Sequence, residues 1–342
     1  MLSRVADSIF WMTRYIERAE NLARFIDVTT NLTLDLPVGA SDPWQPIACT
    51  TGDGDWFIER YGEASQENVI QFLTFDSEYP DSIRNCVRNA RENARSVREA
   101  ISSEMWEQIN SFYLMVEEAA KQCEKIVRSP FDFFRAVRTA GDLFKGITDG
   151  TMSHNEGWHF GRMGRMLERA DKTSRILDVK YYILLPNIED IGTPLDDLQW
   201  SALLNSVSGF EMYRKRHHGI APERVVDFLV LDRAFPRAIR FCIQHANKSL
   251  HKISGTPIGS YCNIAEQRLG QLDSELAFLN VRDLIHRGLH EFLDGLQTKI
   301  NDIGDGIYQT FIDSSSEHSQ TAISAVPKPK AKNWELPVRT SV

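Results

Sequence analysis

The sequence predicts an all-α protein, a helical bundle, on three observations. Apolar residues recur at alternating steps of three and four positions, which is the spacing of one helix face. No run of strictly alternating apolar residues with hairpin turns occurs, so strands are not predicted. A charged helix motif, Arg-x-x-Glu-Arg-Ala followed by an acid, occurs twice. With 342 residues, 42% of them hydrophobic, the chain can bury a sizeable core.

A long amphipathic helix is predicted at the N-terminus, over residues 2–29. Its apolar positions form one narrow stripe, which consists of Leu2, Val5, Ile9, Met12, Ile16, Ala19, Ala23 and Ile26. We expect Pro37 and Gly39 to end this helix. Residues 40–56 are polar and contain several prolines and glycines, so they are predicted to form a connection.

Further helices are predicted in the first half of the chain. A short helix covers residues 65–75, with Ser65 as its N-cap. The spacing of apolar residues then predicts helices over 80–101 and 103–116. Pro130 begins another helix, because a proline is tolerated in the first helical turn.

A second long helix is predicted over residues 156–185 and is stopped by Pro186. The next helical segments are expected to begin at Pro194, Ala202, Pro222 and Pro236. The last long helices are predicted over residues 260–279 and 281–312.

The composition changes after residue 313. Residues 314–342 begin with a serine-rich stretch and include two Pro-Lys pairs in a polar surrounding. Such a segment buries too little apolar surface to offset the entropy cost of ordering it. We therefore expect a disordered C-terminal tail over 314–342 and one helical domain over 1–313.

The charged motif repeats in register. Placing Glu17 over Glu168 aligns Arg18 with Arg169 and Ala19 with Ala170. The same alignment pairs Arg14 with Arg165, Glu20 with Asp171, Arg24 with Arg175, Asp27 with Asp178 and Val28 with Val179. Eight charged or small positions that agree within 15 residues indicate two related helices. We expect these helices to be arranged with approximate internal symmetry.

On the first motif helix, the charged residues share the side opposite the apolar stripe. At about 100° per residue, Glu17, Glu20, Arg24 and Asp27 fall on one face. One interpretation is a solvated face with weak ion pairs between residues four apart, such as Glu20 with Arg24. The recurrence of the same residues in two helices favours a face with a partner instead.

That partner could be structural or functional. In the structural interpretation, Glu17 reaches Arg169 in the other motif helix. Glu168 reaches Arg18 in the same way. In the functional interpretation, a cleft of arginines and glutamates grips a carboxylate, a phosphate or a peptide terminus. The candidate ligand-binding residues are Arg14, Glu17, Arg18, Arg24, Arg165, Glu168, Arg169, Arg175 and Arg237.

These residues also carry a resemblance to a known family. The chain resembles the Alpha-E family, bacterial helical proteins that are named for their Glu-Arg motif. The matching stretches are residues 1–28, 90–110, 155–182, 200–216 and 222–242, and the likeness extends from residue 1 to about 312. Where the family often has Phe-Pro-Arg-Ser, the chain has Phe235-Pro236-Arg237-Ala238, so any role of that serine hydroxyl is missing.

The resemblance implies a function through the family's gene neighbours. These genes typically lie beside those for circularly permuted ATP-grasp proteins and transglutaminase-like proteins. We therefore expect an accessory protein of an ATP-grasp-type amide or peptide ligase, which presents a Glu/Arg-lined groove to a peptide, an amino acid or the ligase itself. ATP is expected to be bound only by the partner. One alternative is an enzyme with Glu17 or Glu168 as the acid/base on a carboxylate or peptide substrate. Another is a structural assembly protein in which the motif forms an internal salt-bridge network.

Composition excludes several other functions. The net charge of −8 argues against broad nucleic-acid binding. No signal peptide or apolar run of the roughly 20 residues needed to span a bilayer is present, so a cytoplasmic location is expected. The five scattered cysteines include no C-x-x-C pair, and no metal site is predicted. No phosphate-binding glycine loop occurs, so no nucleotide cofactor is expected.

Two further features are candidates for anion binding. Residues 214–218 are the most basic stretch of the chain and could form a polar pocket with Glu211, although a solvated helix end also explains them. Arg237 follows Pro236 at a predicted helix start, where free N–H groups could receive an anion.

Overall fold

The computed structural model describes residues 1–35, 43–49, 53–184 and 193–313. These residues contain sixteen helices and no strands, which confirms the predicted all-α fold. In chain order the helices are α1 (Ser3–Asp35), α2 (Trp44–Ala48), α3 (Gly54–Tyr61), α4 (Gln66–Phe75), α5 (Ile83–Ser96), α6 (Ser103–Ala120), α7 (Cys123–Arg128), α8 (Phe131–Thr151), α9 (Glu156–Leu184), α10 (Pro194–Ser206), α11 (Phe210–Arg216), α12 (Pro222–Leu231), α13 (Ile239–Ser254), α14 (Ile264–Phe278), α15 (Val281–Arg287) and α16 (Leu289–Phe311). The predicted tail, 314–342, lies outside the described residues.

Polar side chains define several of the helix starts. An N-cap side chain accepts a hydrogen bond from a backbone N–H that has no partner inside the helix. Ser65, Ser82 and Ser102 do this at α4, α5 and α6. Thr193 and Asn263 do the same at α10 and α14.

The N-terminal boundaries differ from the prediction. α1 continues to Asp35 instead of ending near residue 29. The predicted polar connection over 40–56 contains α2 and the beginning of α3. These short helices form because Trp44, Ile47 and Phe57 bury their side chains in the core, which the polar composition of the segment conceals.

Other boundaries shift for local reasons. The helix predicted over 281–312 is broken at Gly288, whose φ of +99° is the conformation that favours glycine. The helix predicted over 80–101 ends at Ser96. α13 begins at Ile239, after the Phe235-Pro236 turn and not at the proline.

The buried apolar residues form two clusters. The first is built mainly by α1 to α8 and the second mainly by α9 to α16. Apart from the exposed Leu2, every residue of the stripe predicted on α1 is buried in the first cluster. The two motif helices, α1 and α9, pack against each other where the two clusters meet.

The two halves share the order of their long and short helices. α1 and α9 have 33 and 29 residues, α5 and α13 have 14 and 16, and α8 and α16 have 21 and 23. α1 packs on α5 and α8, and α9 likewise packs on α13 and α16. These parallels agree with approximate internal symmetry, which stays a prediction.

A second sequence repeat, separate from the charged motif, accompanies these parallels. Residues 72–90 align with 228–246, with Asp76 opposite Asp232 and Pro80 opposite Pro236. Both aspartates accept hydrogen bonds from the two backbone N–H groups that lie two and three residues further on. The N-caps of α5 and α13 are Ser82 and Ala238, so a serine hydroxyl caps the first helix, whereas Ala238 supplies no side-chain acceptor.

Small residues bring α1 and α9 close together. Gly157, Gly161 and Gly164 lie on the face of α9 that meets α1. A Cβ atom added at Gly164 would lie 2.6 Å from the carbonyl oxygen of Phe10. The Thr13 hydroxyl donates a hydrogen bond of 2.8 Å to the carbonyl oxygen of Gly161. The charged motif residues follow within the next turns of both helices, where the backbones remain near each other.

No helix in the described ranges is long and apolar enough to cross a lipid bilayer.

Candidate functional site

The Glu17 carboxylate lies between α1 and α9 and is fully buried. Arg169 donates to it through Nε and Nη2 at 2.7 and 2.8 Å, in bidentate geometry. Asn21 and Arg237 donate to Glu17 Oε1, the oxygen that also accepts from Arg169 Nε, at 3.1 and 3.2 Å. The Lys145 Nζ, on α8, lies 3.5 Å from Oε2. One carboxylate therefore links α1, α8, α9 and the segment before α13.

The Glu168 carboxylate is the counterpart on α9 and is also fully buried. Arg14 donates to it from Nε at 2.8 Å. Arg18 donates from Nε at 2.6 Å and from Nη2 at 3.1 Å, and also binds Asp81 beside α5. The Lys172 Nζ is 3.7 Å away. Each motif glutamate thus binds the arginine of the other motif, as in the structural interpretation.

Glu20 is a second buried acid on α1. Arg24, one turn later, donates to it from Nε and Nη2 at 3.0 and 2.7 Å. Arg237 donates from Nη2 at 2.6 Å, and Lys145 also binds this carboxylate. Arg24 Nη1 further donates to the Ser208 hydroxyl at 2.6 Å. Ser208 has a φ of +51°. Glu20 and its partners therefore connect α1 to the turn between α10 and α11.

Asp171 occupies the matching position on α9. Arg175 donates to it from Nε at 2.9 Å, and the Lys172 Nζ lies 3.1 Å away. The ion pair predicted between residues four apart therefore forms in both motif helices. Unlike a solvated pair, each lies where water is largely excluded, so its loss strands a buried charge.

The motif glutamates stay ionised. Burial alone would raise the pKa of Glu17, but the charges of Arg169 and Lys145 outweigh it and hold this pKa well below its ordinary value. Burial would also raise the pKa of Glu168, but the charges of Arg18 and Arg14 outweigh burial and lower this pKa as well. A general base needs a pKa near the working pH and access to a proton. These enclosed carboxylates have neither, so the geometry does not suit the acid/base alternative.

Cations outnumber buried acids in this network. The four buried acids are Glu17, Glu20, Glu168 and Asp171. Among the described residues, eight cations lie within 4 Å of these acids: Arg14, Arg18, Arg24, Lys145, Arg169, Lys172, Arg175 and Arg237. Burial and repulsion by neighbouring arginines accordingly lower the pKa of Lys145 and of Arg237, in spite of the acids beside them.

Of the predicted site residues, all except Arg165 join this network. The solvated-face interpretation is wrong, because the charged face of each motif helix is covered by the other motif helix and its neighbours. Arg237 does not offer an anion site at a helix start: it precedes α13, and its guanidinium binds Glu17 and Glu20. The basic stretch 214–218 lies at the end of α11, where Arg216 binds Asp232.

Several network members were missed from the sequence. Lys145 gave no signal, because its helix reads as an ordinary amphipathic one with a charged outer face. Asp81 could have been found, since the second repeat places it opposite Arg237. Lys172 stands inside the motif helix, but its counterpart is Asn21, so the comparison of the two helices did not select it.

The lowered pKa values predict an acid-sensitive fold. A carboxyl group whose pKa is lower in the folded state stabilises the fold fully above its unfolded pKa and loses this contribution as pH falls through the folded value. The ordinary value is 4.5 for Glu17, Glu20 and Glu168. We therefore expect the melting temperature to fall progressively below about pH 4.5. The measurement is a series of thermal melts between about pH 7 and pH 3. A melting temperature that stays constant or rises in the acidic part of the pH series would contradict a stabilising role of the ion-pair network.

The comparisons with known proteins agree with the helical fold and the Glu-Arg motif. The model of the Alpha-E family, described as a predicted alpha-helical domain with a conserved ER motif, matches residues 1–312. Uncharacterized proteins of Mycobacterium bovis and Mycobacterium tuberculosis are 22% identical to the chain over 333 residues. The match covers 90% of this chain but 36% of each relative, so the chain spans little more than a third of their length. No solved structure matches the chain significantly.

Proposed function

The chain belongs to the Alpha-E family, and we propose that it is a cytoplasmic partner protein of an ATP-grasp-type amide or peptide ligase, without catalytic activity of its own. In this proposal, the Glu-Arg motif holds the helices in the arrangement that the partner recognises. The expected partners are a circularly permuted ATP-grasp protein and a transglutaminase-like protein.

The observation that carries the non-catalytic part of the proposal is the enclosure of the four motif acids. Each motif glutamate is ionised, fully buried and bound by at least two arginines, so neither is available to take a substrate proton. A network of this kind fixes the relative positions of α1, α8, α9 and α13. That property suits a protein that presents a surface.

The length of the relatives favours a partner. Most of each mycobacterial relative lies outside the segment that matches this chain. In those proteins the Alpha-E-like segment is covalently joined to further polypeptide, which places it at high effective concentration next to another part of the same protein.

The test is reconstitution with the proteins encoded beside the gene. The tagged chain is expected to retain the ATP-grasp protein in a pull-down. The mixture is expected to release ADP from ATP in the presence of amino acids or peptides, faster than the ATP-grasp protein alone. An acidic helical protein of similar size serves as the control bait. Retention of neither neighbour, with no change in ATP turnover, would refute the partnership.

The isolated chain is the control for catalysis. We expect it to convert no amino acid or peptide, with or without ATP. Turnover by the isolated chain that is lost in Glu17→Gln, while the melting temperature is unchanged, would instead support the enzyme alternative.

A further inference from the structure

A group of basic residues lies on α9 and α13, beside the Glu-Arg network. We call this group the cationic face; it consists of His159, Arg162, Arg165, His245, Lys248 and Lys252. The two helices meet here, since the His159 Nδ1 lies 3.4 Å from the Ser249 hydroxyl. Trp158 lies beside the face, with its ring 5.1 Å from the Arg162 guanidinium carbon.

The cationic face has very little compensating negative charge. Within the part of the chain that the structure describes, Asp149 is the one carboxylate within 4 Å of these six side chains, at 3.7 Å from Arg165 Nη2. Asp149 is itself half exposed and also accepts a hydrogen bond from Trp158. Burial and the neighbouring charges lower the pKa of His159 and of His245, with Arg162 contributing to both shifts. Apart from Asp149, the cationic face therefore has no described carboxylate within 4 Å that would offset the repulsion between its positive charges.

Arg165 is the clearest case of an unmet partner. Its side chain is 12% exposed, and its Nε is buried without a hydrogen-bond acceptor among the described residues. The motif repeat aligns it with Arg14, whose Nε donates to Glu168 at 2.8 Å. The equivalent acceptor for Arg165 would be Glu17, but Arg169 and Arg237 occupy that carboxylate. A buried N–H group without a hydrogen-bond acceptor is unfavourable, and an oxygen of a bound ligand would supply the missing acceptor.

The matching face in the other half shows that the bundle does not need these charges. The motif repeat aligns His159 and Arg162 with Ser8 and Trp11. The second repeat aligns His245 with Asn89, and its continuation in the same register along α5 and α13 places Lys248 and Lys252 opposite Glu92 and Ser96. Ser8 and Ser96 hydrogen-bond to each other at 3.1 Å, whereas at the same positions the charge of Lys252 helps to lower the pKa of His159. Apart from Arg165, the positively charged residues of this face thus have no positively charged counterpart at these positions of the first half.

We propose that the cationic face binds a phosphate group, either as free phosphate or as part of a small molecule such as a nucleotide. A guanidinium with a free Nε can bind two oxygens of an oxyanion in fork geometry. A phosphate carries close to two negative charges and three acceptor oxygens, which suits a face that carries several cations and little negative charge. The proposal concerns the isolated chain and does not depend on the partner ligase.

The test is calorimetric titration of the full chain with inorganic phosphate and, separately, with ADP, with sodium chloride keeping the ionic strength constant. The test variant is Arg162→Gln with Lys248→Gln, two changes at residues that are at least partly exposed and have no ion pair within the described residues. The control is Arg135→Gln with Lys121→Gln, which removes the same charge from residues whose side chains are 76% and 72% exposed elsewhere.

We expect saturable binding with a Kd of about 1 mM or lower, and at least about tenfold weaker binding in the test variant. The control variant should bind like the parent chain. Tighter binding of ADP would identify a nucleotide as the source of the phosphate, and equal binding would identify the phosphate group alone.

Three results would overturn the proposal. One is the absence of saturable binding up to about 10 mM, where a millimolar site would be mostly filled. A second is equal weakening in the test and control variants, which would indicate a general charge effect. A third is binding of a glutamate-rich peptide without any response to phosphate or ADP, which would assign the face to an acidic protein segment.

Discussion

Replacing Glu17 with glutamine is expected to lower the free energy of unfolding by about 3–5 kcal/mol, because it removes one partner of a buried ion-pair network. Glutamine keeps the shape of the side chain but not its charge, so Arg169 and Arg237 lose their common counter-ion in a fully buried site. The measurement is urea unfolding followed by circular dichroism, with the melting temperature as a second readout.

The matched control for this experiment is Glu117→Gln. Arg84 binds Glu117 in bidentate geometry at 2.8 and 2.9 Å, almost the same distances as between Arg169 and Glu17. Glu117 is 26% exposed, however, and such surface pairs contribute about 1 kcal/mol or less. Equal effects of the two substitutions, or an unchanged melting temperature in Glu17→Gln, would disprove the structural role of the motif.

Replacing Gly164 with alanine is expected to destabilise the fold by about 1–3 kcal/mol, although alanine is the better helix former. The added Cβ would lie 2.6 Å from the Phe10 carbonyl oxygen and 3.1 Å from the Thr13 hydroxyl. A backbone oxygen cannot rotate away, so α1 and α9 must separate, and the motif ion pairs between them must lengthen. Thermal melts of the variant and the parent chain measure the loss.

Gly146→Ala on α8 is the control. An added Cβ at Gly146 has no heavy atom within 4 Å, so only the gain in helix propensity remains, up to about 1 kcal/mol. Opposite signs for the two glycine substitutions are therefore expected. A stabilised Gly164→Ala variant would show that α1 and α9 do not pack as closely as described.

The sequence was informative about the elements and the motif. The stripe on α1 is confirmed almost residue by residue, because helix periodicity and apolar burial are local properties. The cross-helix pairs Glu17–Arg169 and Glu168–Arg18 were one of three interpretations, and they form. The sequence did not select among the three, since a charged helix face looks the same whether water or another helix covers it.

The parts that could not be predicted depend on distant segments. Lys145 on α8 and Arg237 in the segment before α13 reach the same two carboxylates, and no periodicity connects their positions with Glu17 or Glu20. Asp81 was predictable in principle from the second repeat. Trp44 and Ile47 were hidden in the polar segment 40–56, because burial of a few large side chains is enough to form a short helix.

By itself, the sequence determined that this protein is helical, where most of its helices lie and that two of them carry the same Glu-Arg motif. Only the tertiary structure decided that the motif acids are buried, that cations outnumber them, and that the Nε of Arg165 has no acceptor among the described residues while the Nε of its counterpart Arg14 has one. The physical reason is that hydrophobic periodicity specifies which face of a helix turns inward. Which charged groups then meet there depends on how helices more than a hundred residues apart pack together.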